Sequence, residues 1–284
     1  MGRIEEIEKL IVGSRDLDRR AAEIQGDREL LVGRDEIDQL ADDYNHWYAR
    51  AMAVLPEEQR AEFKDLYEGG MVVKRIKTFL ASPGEVNTLF DPEAEVHVFG
   101  YWQHPYETTF HSSLMEQRQA LALARQTIEA AAEEAEVTLV ERIGRGLPRM
   151  IASMCRRGRE RSPLVVTDEY DVQYLLEGVL RNLFDDVRPE DPSPNRAGAS
   201  TRIDFVLKHE QIFVEAKMTR DRLGEREVAD ALIDDIERYR AHPDLRTLVA
   251  IVYDPDRRIA NPSGLENDLR QDSPELRVRV VVCS

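Results

Sequence analysis

Residues 201–219, TRIDFVLKHEQIFVEAKMT, contain two runs of alternating side chains on either side of a short polar segment. The pattern predicts two antiparallel β-strands that turn at residues 209–210. In the register that this turn sets, Asp204 lies opposite Glu215. Two carboxylates facing each other across a strand pair cost roughly 0.2–1 kcal/mol, so their pairing predicts that a cation binds between them.

The same register divides the side chains of the hairpin between two faces. One face is wholly apolar: Ile203, Phe205, Leu207, Ile212, Val214 and Ala216. The other face carries the polar side chains, and we expect it to be turned away from the main core: Asp204, Val206, Lys208, Gln211, Phe213, Glu215 and Lys217. Lys217 therefore shares a face with both carboxylates. The alternative is a surface hairpin in which Glu215 and Lys217 form an ordinary ion pair.

Length and composition are those of a globular chain with one large or two ordinary domains, since 284 residues with 42% hydrophobic side chains can form a substantial core. The apolar runs, such as 247–253 and 278–283, fall far short of the roughly 20 residues that span a bilayer, so we expect no membrane partner. The N-terminal residues do not resemble a secretory signal. Cys155 and Cys283 are the only cysteines, which fits a cytoplasmic protein.

The net charge of -16 argues against a generally basic nucleic-acid-binding protein. Residues 145–161 are a local exception, with six arginines and one glutamate. This basic segment is either a solvated linker or a contact to the phosphate backbone beside the active site. An acidic metal site would itself add carboxylates that are neutralised when the ion binds.

The first part of the chain is predicted to be mainly helical. Helical spacing of apolar residues continues to about residue 80, and the tract 112–136 is rich in helix-forming residues and leads toward a second helix at 137–154. Residues 81–111 form a connector of uncertain form. We predict that residues 1–160 form an N-terminal helical region and that the domain boundary follows it. We expect this N-terminal region to serve interaction, oligomerisation or target recognition.

Residues 165–284 are predicted to form an α/β domain. Its first helix carries an apolar stripe from Val172 to Phe184, and Glu177 lies at the border of that stripe. Glu177 either reaches the site as a further metal ligand or catalytic acid, or pairs with Arg181 four residues later. Residues 188–200, with three prolines and a glycine, suggest an irregular loop. Four further elements are expected after the hairpin: a helix at 223–239, a strand at 247–253, a helix at 261–269 and a strand at 277–283.

The motif in this hairpin is similar to that of a known enzyme superfamily. RID at 202–204, ten further residues and EAK at 215–217 resemble the motif of PD-(D/E)XK nucleases, whose core is a mixed sheet flanked by helices. Over residues 165–284 the chain also resembles the restriction-endonuclease-like domains grouped with DpnII and MboI, in the stretches YDVQYLLEGVLRNLFDDVRPED, TRIDFVL, IFVEAKMTR, RYRAHPD and VYDPDRRIANPSGLENDL. Residues 1–160 carry no such resemblance.

Two positions depart from the superfamily pattern. Ile203 stands where the superfamily name has a proline, and Ala231 stands in the next helix, where related branches carry a glutamine that supports the site. The second departure predicts that this support is absent or comes from another residue.

The resemblance implies a metal-dependent endonuclease that hydrolyses phosphodiester bonds. The hard carboxylate oxygens of Asp204 and Glu215 suit Mg²⁺ or Mn²⁺, and the resemblance adds the backbone carbonyl of Ala216 as a ligand. Lys217 would orient the attacking water and balance negative charge near the scissile phosphate. We therefore expect the catalytic residues to be Asp204, Glu215 and Lys217, with Glu177 as a further candidate.

The resemblance also suggests a biological role in restriction or anti-phage defence, with DNA rather than RNA as the substrate, although the residues themselves leave both open. A homodimer is expected, because cutting both strands of a duplex with one site per chain takes two copies. The alternative is a nuclease-fold binding or assembly module of a multi-protein defence complex, with no activity on its own. The negative charge and the missing glutamine favour this alternative.

Overall fold

The computed structural model describes most of the chain, in the ranges 2–26, 34–68, 76, 106–156, 162–192, 202–221, 223–240, 242–273 and 275–284. The chain divides into two compact units, Met1–Ala131 and Ala132–Ser284. No helix within the described ranges has the length and apolar character that a membrane crossing requires.

The first unit is helical, as predicted. It contains α1 (Gly2–Gly26), α2 (Arg34–Val54), α3 (Glu57–Glu68), a π-helical turn (Tyr106–His111) and the beginning of α4 (Ser112–Cys155). Aromatic side chains of α2 form its core: the Tyr44 hydroxyl donates to Gln117 Oε1 at 2.9 Å, and the Trp47 indole donates to the Leu10 carbonyl at 2.8 Å. The rest of the predicted helix up to residue 80, apart from Ile76, and the connector up to 105 lie outside the described residues.

The prediction of two helices between 112 and 154 is wrong, because α4 is a single helix of 44 residues with Pro148 inside it. Its second half packs on the sheet of the second unit. A Cβ at Gly144 would lie 3.1 Å from Ile251 Cγ1 and 3.2 Å from Val281 Cγ1, so the backbone of α4 approaches two strands closely there. This packing explains why the second half of α4 belongs to the second unit, which begins at Ala132. The domain boundary at 160–165 stays a prediction.

The second unit is a mixed six-stranded sheet with helices on both faces, which confirms the predicted α/β class. Its strands are β1 (Val187–Pro192), β2 (Arg202–Leu207), β3 (Ile212–Met218), β4 (Thr247–Tyr253), β5 (Gln271–Asp272) and β6 (Arg277–Cys283). Their order in the sheet is β1-β2-β3-β4-β6-β5. The pairs β1-β2, β2-β3 and β5-β6 are antiparallel, whereas β3-β4 and β4-β6 are parallel.

Two helical layers cover the sheet. The layer on one face is formed by α4 and α5 (Glu169–Leu183), where Val172, Leu176 and Leu180 pack against alternate residues of β2, β3 and β4. The layer on the other face is formed by α6 (Glu225–Tyr239) and α7 (Pro262–Asp268). The hydrophobic effect thus favours two cores, one on each side of β3 and β4.

The predicted loop at 188–200 is wrong in its first part, because β1 occupies Val187–Pro192 and pairs with β2. The prolines that suggested a loop are compatible with this strand, since β1 lies at the edge of the sheet and a proline that cannot donate to a ladder is tolerated there. Residues 193–200 lie outside the described part of the chain.

The polar face of the hairpin was also predicted wrongly, as the side turned away from the core. Helix α6 covers this face, and Phe213 of β3 is fully buried there. Ile203 belongs to this same cluster although Phe205 packs on the opposite side, so the alternation of β2 breaks at Asp204. The polar face is buried because β3 is a central strand with apolar layers on both faces.

Candidate active site

The register of the hairpin is the predicted one. The pairs Phe205↔Val214, Val206↔Phe213 and Leu207↔Ile212 connect β2 and β3, and the ladder ends at the first of them. One step further, Asp204 reaches across with its side chain: its Oδ2 accepts a hydrogen bond from the backbone N–H of Ala216 at 2.8 Å. The Asp204 carboxylate therefore lies beside β3, next to the residue that precedes Lys217.

A glutamine supports the other oxygen of Asp204, but it comes from the helix before the hairpin. Gln173 of α5 donates from Nε2 to Asp204 Oδ1 at 2.8 Å. Gln173 was not predicted from the sequence, because the supporting glutamine was expected in α6, where Ala231 stands. Gln173 lies four residues before Glu177 on the same border of the apolar stripe, so helical spacing could have identified it.

Glu215 is buried, with 4% of its surface exposed. Its Oε2 accepts a hydrogen bond from the Tyr239 hydroxyl at 2.9 Å, and its Oε1 accepts one from the Lys217 ammonium. Lys217 also lies 2.9 Å from Asp235 Oδ2. The Glu215–Lys217 pair is therefore not the surface ion pair of the alternative interpretation, because α6 covers it with Asp235 and Tyr239.

Sequence reasoning missed Asp235 and Tyr239. Both occupy core-facing positions of the amphipathic helix α6, together with Leu232 and Ile236. A buried carboxylate in such a position requires a partner that compensates its lost hydration, and Asp235 is only 6% exposed. An aspartate at a core position of a predicted helix could therefore have indicated that α6 contributes to the site.

Burial raises the pKa values of Asp204 and Glu215. Loss of hydration raises the pKa of Asp204 to about 6, against the opposing hydrogen bond from Ala216. Burial and then the negative charge of Asp204 raise the pKa of Glu215 to about 8. For Lys217, burial acts to lower the pKa, but the charges of Glu215 and Asp235 outweigh it and raise the pKa above its ordinary value. The Lys217 ammonium therefore stays protonated, whereas simultaneous ionisation of Asp204 and Glu215 is unfavourable.

Helix α5 presents two further acids near Gln173, and their surroundings differ. Glu177 accepts a hydrogen bond from Arg181 Nε at 2.8 Å, which is the ion-pair alternative of the sequence analysis. Glu169, one turn before Gln173, adds its negative charge to the larger effect of burial in raising the pKa of Asp204. Glu169 is therefore the acid of α5 with an electrostatic effect on the site, while the catalytic role of Glu177 stays a prediction.

The donor set fits a hard divalent cation. Asp204 and Glu215 contribute carboxylate oxygens, and Glu215 and Asp235 both contact the Lys217 ammonium, so three acids and one ammonium leave the cluster with excess negative charge when it is ionised. Among the described residues, no group of three or more His, Cys, Asp or Glu side chains is arranged to hold one metal ion.

Two described arginines of the basic segment 145–161, Arg145 and Arg156, have partners within the protein. Arg145 forms a forked ion pair with Glu266, with N–O distances of 3.1 and 3.3 Å, and Arg156 donates to the Ala152 carbonyl. Residues 157–161 lie outside the described ranges, so a contact of this segment with phosphate stays a prediction.

Comparison with protein families gives a match to the second unit. The model of the DpnII-MboI restriction endonuclease family, REase_DpnII-MboI, matches residues 138–284, just over half of the chain. The matched range includes residues 138–155 of α4, every strand of the sheet and all the side chains that surround Asp204 and Glu215. No curated protein and no solved structure gives a significant match. The chain belongs to the DpnII-MboI restriction endonuclease family.

Proposed function

We propose that this protein is a metal-dependent endonuclease that hydrolyses phosphodiester bonds of DNA at the Asp204–Glu215–Lys217 site. Membership in a restriction endonuclease family makes DNA the expected substrate. The observation that carries the proposal is the buried pair of acids on β2 and β3, with Lys217 in contact with Glu215. A structural ion pair has no need for the second acid, whose proximity raises the pKa of Glu215.

Asp204, Glu215 and the carbonyl of Ala216 would hold Mg²⁺ or Mn²⁺. When bound, such an ion supplies a Lewis acid for the phosphoryl oxygen and lowers the pKa of a coordinated water. The protein's contribution is to hold the ligands in place: Gln173 and the Ala216 N–H orient Asp204, and the Tyr239 hydroxyl orients Glu215.

Lys217 would act on the attacking water and on the scissile phosphate. An ammonium has three donors; Glu215 and Asp235 accept from two of them, which leaves the third for water or a phosphate oxygen. Its raised pKa keeps the group cationic across the physiological range. Positive charge held in a buried site stabilises the negative charge that develops in the transition state.

Asp235 would keep Lys217 in position when Glu215 binds the ion. The ammonium has carboxylate partners on two different elements, Glu215 on β3 and Asp235 on α6. If Glu215 turns its oxygen to a cation, the contact with Asp235 remains and fixes the amine. Asp235 is thus a positioning residue rather than a ligand in this proposal.

The test is incubation of the purified chain with plasmid DNA, single-stranded DNA and RNA in Mg²⁺, in Mn²⁺ and in EDTA. We expect metal-dependent products from DNA and none in EDTA. Products from RNA alone would contradict the proposed substrate. No product from any substrate would favour the second candidate function, an assembly module of a multi-protein defence complex. One observation favours that candidate: the helical unit Met1–Ala131 lies outside the family match.

We further propose that the enzyme is a cytoplasmic restriction or anti-phage defence effector that acts as a homodimer. With one site per chain, cleavage of both strands of a duplex takes two copies. Gel filtration with light scattering on the intact chain tests the dimer, and a monomer at micromolar concentration that still linearises plasmid DNA in one step would contradict it. Protection of bacteria that express the chain against phage infection tests the defence role, with the Glu215→Ala variant as control.

A further inference from the structure

The row of site residues on β3 continues to a structured loop. Glu215, Lys217 and Thr219 are alternate residues and so lie on one face of the sheet. The Thr219 hydroxyl donates to Asp254 Oδ1 at 2.6 Å. Asp254 is the first residue after β4 and is 1% exposed. Because strands rise by about 3.3 Å per residue, this contact lies roughly 7 Å along the face from Lys217.

The Asp254 carboxylate organises the loop that follows β4. It accepts hydrogen bonds from the backbone N–H groups of Arg258 at 2.8 Å and Ile259 at 2.9 Å. A second contact connects the loop to α6, since the Ala260 N–H donates to Glu225 Oε2 at 2.8 Å. Between these contacts, Arg257 adopts a φ of 53°, a left-handed conformation that is unfavourable for a residue with a side chain. The loop thus holds Arg257 in a fixed but strained position.

The charges on this surface leave two arginines uncompensated. Arg258 pairs with Asp221 at 2.7 Å and with Asp256 at 3.0 Å. Arg220, directly after Thr219, and Arg257 are exposed. Within the described part of the chain, neither of these two guanidinium groups forms an ion pair with a carboxylate. These two guanidinium groups therefore remain available to an anion, although the chain as a whole carries a net charge of -16.

We propose that Arg220 and Arg257 contact phosphate groups of the DNA strand beside the scissile bond and hold that strand on the row Glu215–Lys217–Thr219. This inference rests on the proposed nuclease function and names the residues that bind the substrate backbone. The guanidinium group suits this role because its planar arrangement of donors matches two phosphate oxygens. The unfavourable backbone of Arg257 is then the cost of placing this residue in the loop after β4, whose end lies beside the end of β3.

The experiment is binding of the full-length protein to a fluorescent DNA duplex, measured by anisotropy in EDTA at several KCl concentrations. EDTA prevents metal-dependent cleavage during the measurement. Arg220→Ala and Arg257→Ala are each expected to weaken binding roughly tenfold at low salt. Each is also expected to reduce the slope of log K against log salt by about 0.9, the value for one lost phosphate contact.

Two further variants make the result specific. Arg246→Ala is the matched control, because Arg246 is also exposed, has no ion pair among the described residues and lies at the opposite end of β4, roughly 20 Å away. Arg257→Gly removes the guanidinium while relieving the left-handed strain, so it separates loss of the contact from collapse of the loop. We expect unchanged binding for Arg246→Ala and the same loss for Arg257→Gly as for Arg257→Ala.

Several outcomes would overturn this inference. They are unchanged affinity and slope in Arg220→Ala and Arg257→Ala, an equal loss in Arg246→Ala, or no binding of DNA by the wild type. Failure of the proposed function looks different: the wild type would bind DNA, with the expected effects of both arginines, but would not cleave it in Mg²⁺ or Mn²⁺.

Discussion

The Lys217 ammonium lies 2.9 Å from the carboxylate of Asp235, a residue of α6, the helix that follows the β2-β3 hairpin. If Asp235 positions this amine, Asp235→Asn lowers the single-turnover cleavage rate about 10- to 100-fold, the usual effect of removing a residue that orients a ligand or catalytic group. DNA affinity in EDTA should be unchanged. Asp234→Asn is the matched control, since Asp234 is exposed. Equal rates for Asp235→Asn and the wild type would exclude the positioning role.

Without metal, the protein is expected to lose stability as the pH rises from about 4.5 to about 8. The folded-state pKa of Asp204 is raised to about 6 and that of Glu215 to about 8, first of all by burial. An acid with a raised folded pKa contributes full stability below its unfolded pKa, and this contribution is lost as the pH rises through the folded value. The Asp204→Asn/Glu215→Gln double variant should lose less stability than the wild type over this pH range.

The measurement for this prediction is the thermal unfolding midpoint in EDTA at intervals from pH 4.5 to pH 8.5, for the wild type and the double variant. We expect the two midpoint curves to diverge by several degrees toward high pH, with the variant above the wild type. Parallel curves would mean that the pKa values of the two acids are not raised in the folded state.

Divalent cations should reverse this loss of stability. A cation that binds only the folded state stabilises it by about 2.7 kcal/mol at 100 times its Kd. Protons compete for Asp204 and Glu215, whose pKa values are about 6 and about 8, so the midpoint should rise more with Mg²⁺ or Mn²⁺ at pH 8 than at pH 6. Thermal unfolding with and without the ion measures the effect, and Glu215→Gln is the control. An equal rise in that variant would place the ion elsewhere.

Gln173 and Glu177 allow a comparison of two residues one turn apart on α5. Gln173→Ala removes the hydrogen bond to Asp204 and should lower the cleavage rate at least tenfold. Glu177→Gln removes only the ion pair with Arg181, whose side chains are 30% and 50% exposed, and should change stability by less than about 0.5 kcal/mol with little effect on the rate. Single-turnover cleavage measures both. A larger loss for Glu177→Gln would identify Glu177 as the catalytic acid of α5.

The sequence was sufficient for local features and insufficient for contacts between distant elements. The register of β2 and β3 follows from alternation and turn length, and the strands Thr247–Tyr253 and Arg277–Cys283 follow from their apolar runs. The packing of α6 over Glu215 depends on tertiary structure, which no local pattern specifies. Asp235 and Tyr239 contact the hairpin from α6 and Gln173 contacts it from α5; helical spacing marks the faces on which they lie, but not the contacts that they make.

Two errors have a similar cause. Proline-rich residues after 188 suggested a loop, but Val187–Pro192 forms an edge strand because β2 offers a partner. Two helices were predicted between 112 and 154, but α4 is a single helix, and its backbone packs at Gly144 against Ile251 and Val281. In both cases tertiary contacts outweigh the local preference.

The decisive experiment is cleavage of plasmid DNA by Glu215→Ala, compared with the wild type in Mg²⁺ and in EDTA. Circular dichroism and the unfolding midpoint first establish that the variant is folded, as expected when the removed carboxylate has a raised pKa of about 8. We expect cleavage by the wild type in Mg²⁺, none in EDTA and none by the folded variant. Full cleavage by folded Glu215→Ala would show that Glu215 is not required for catalysis.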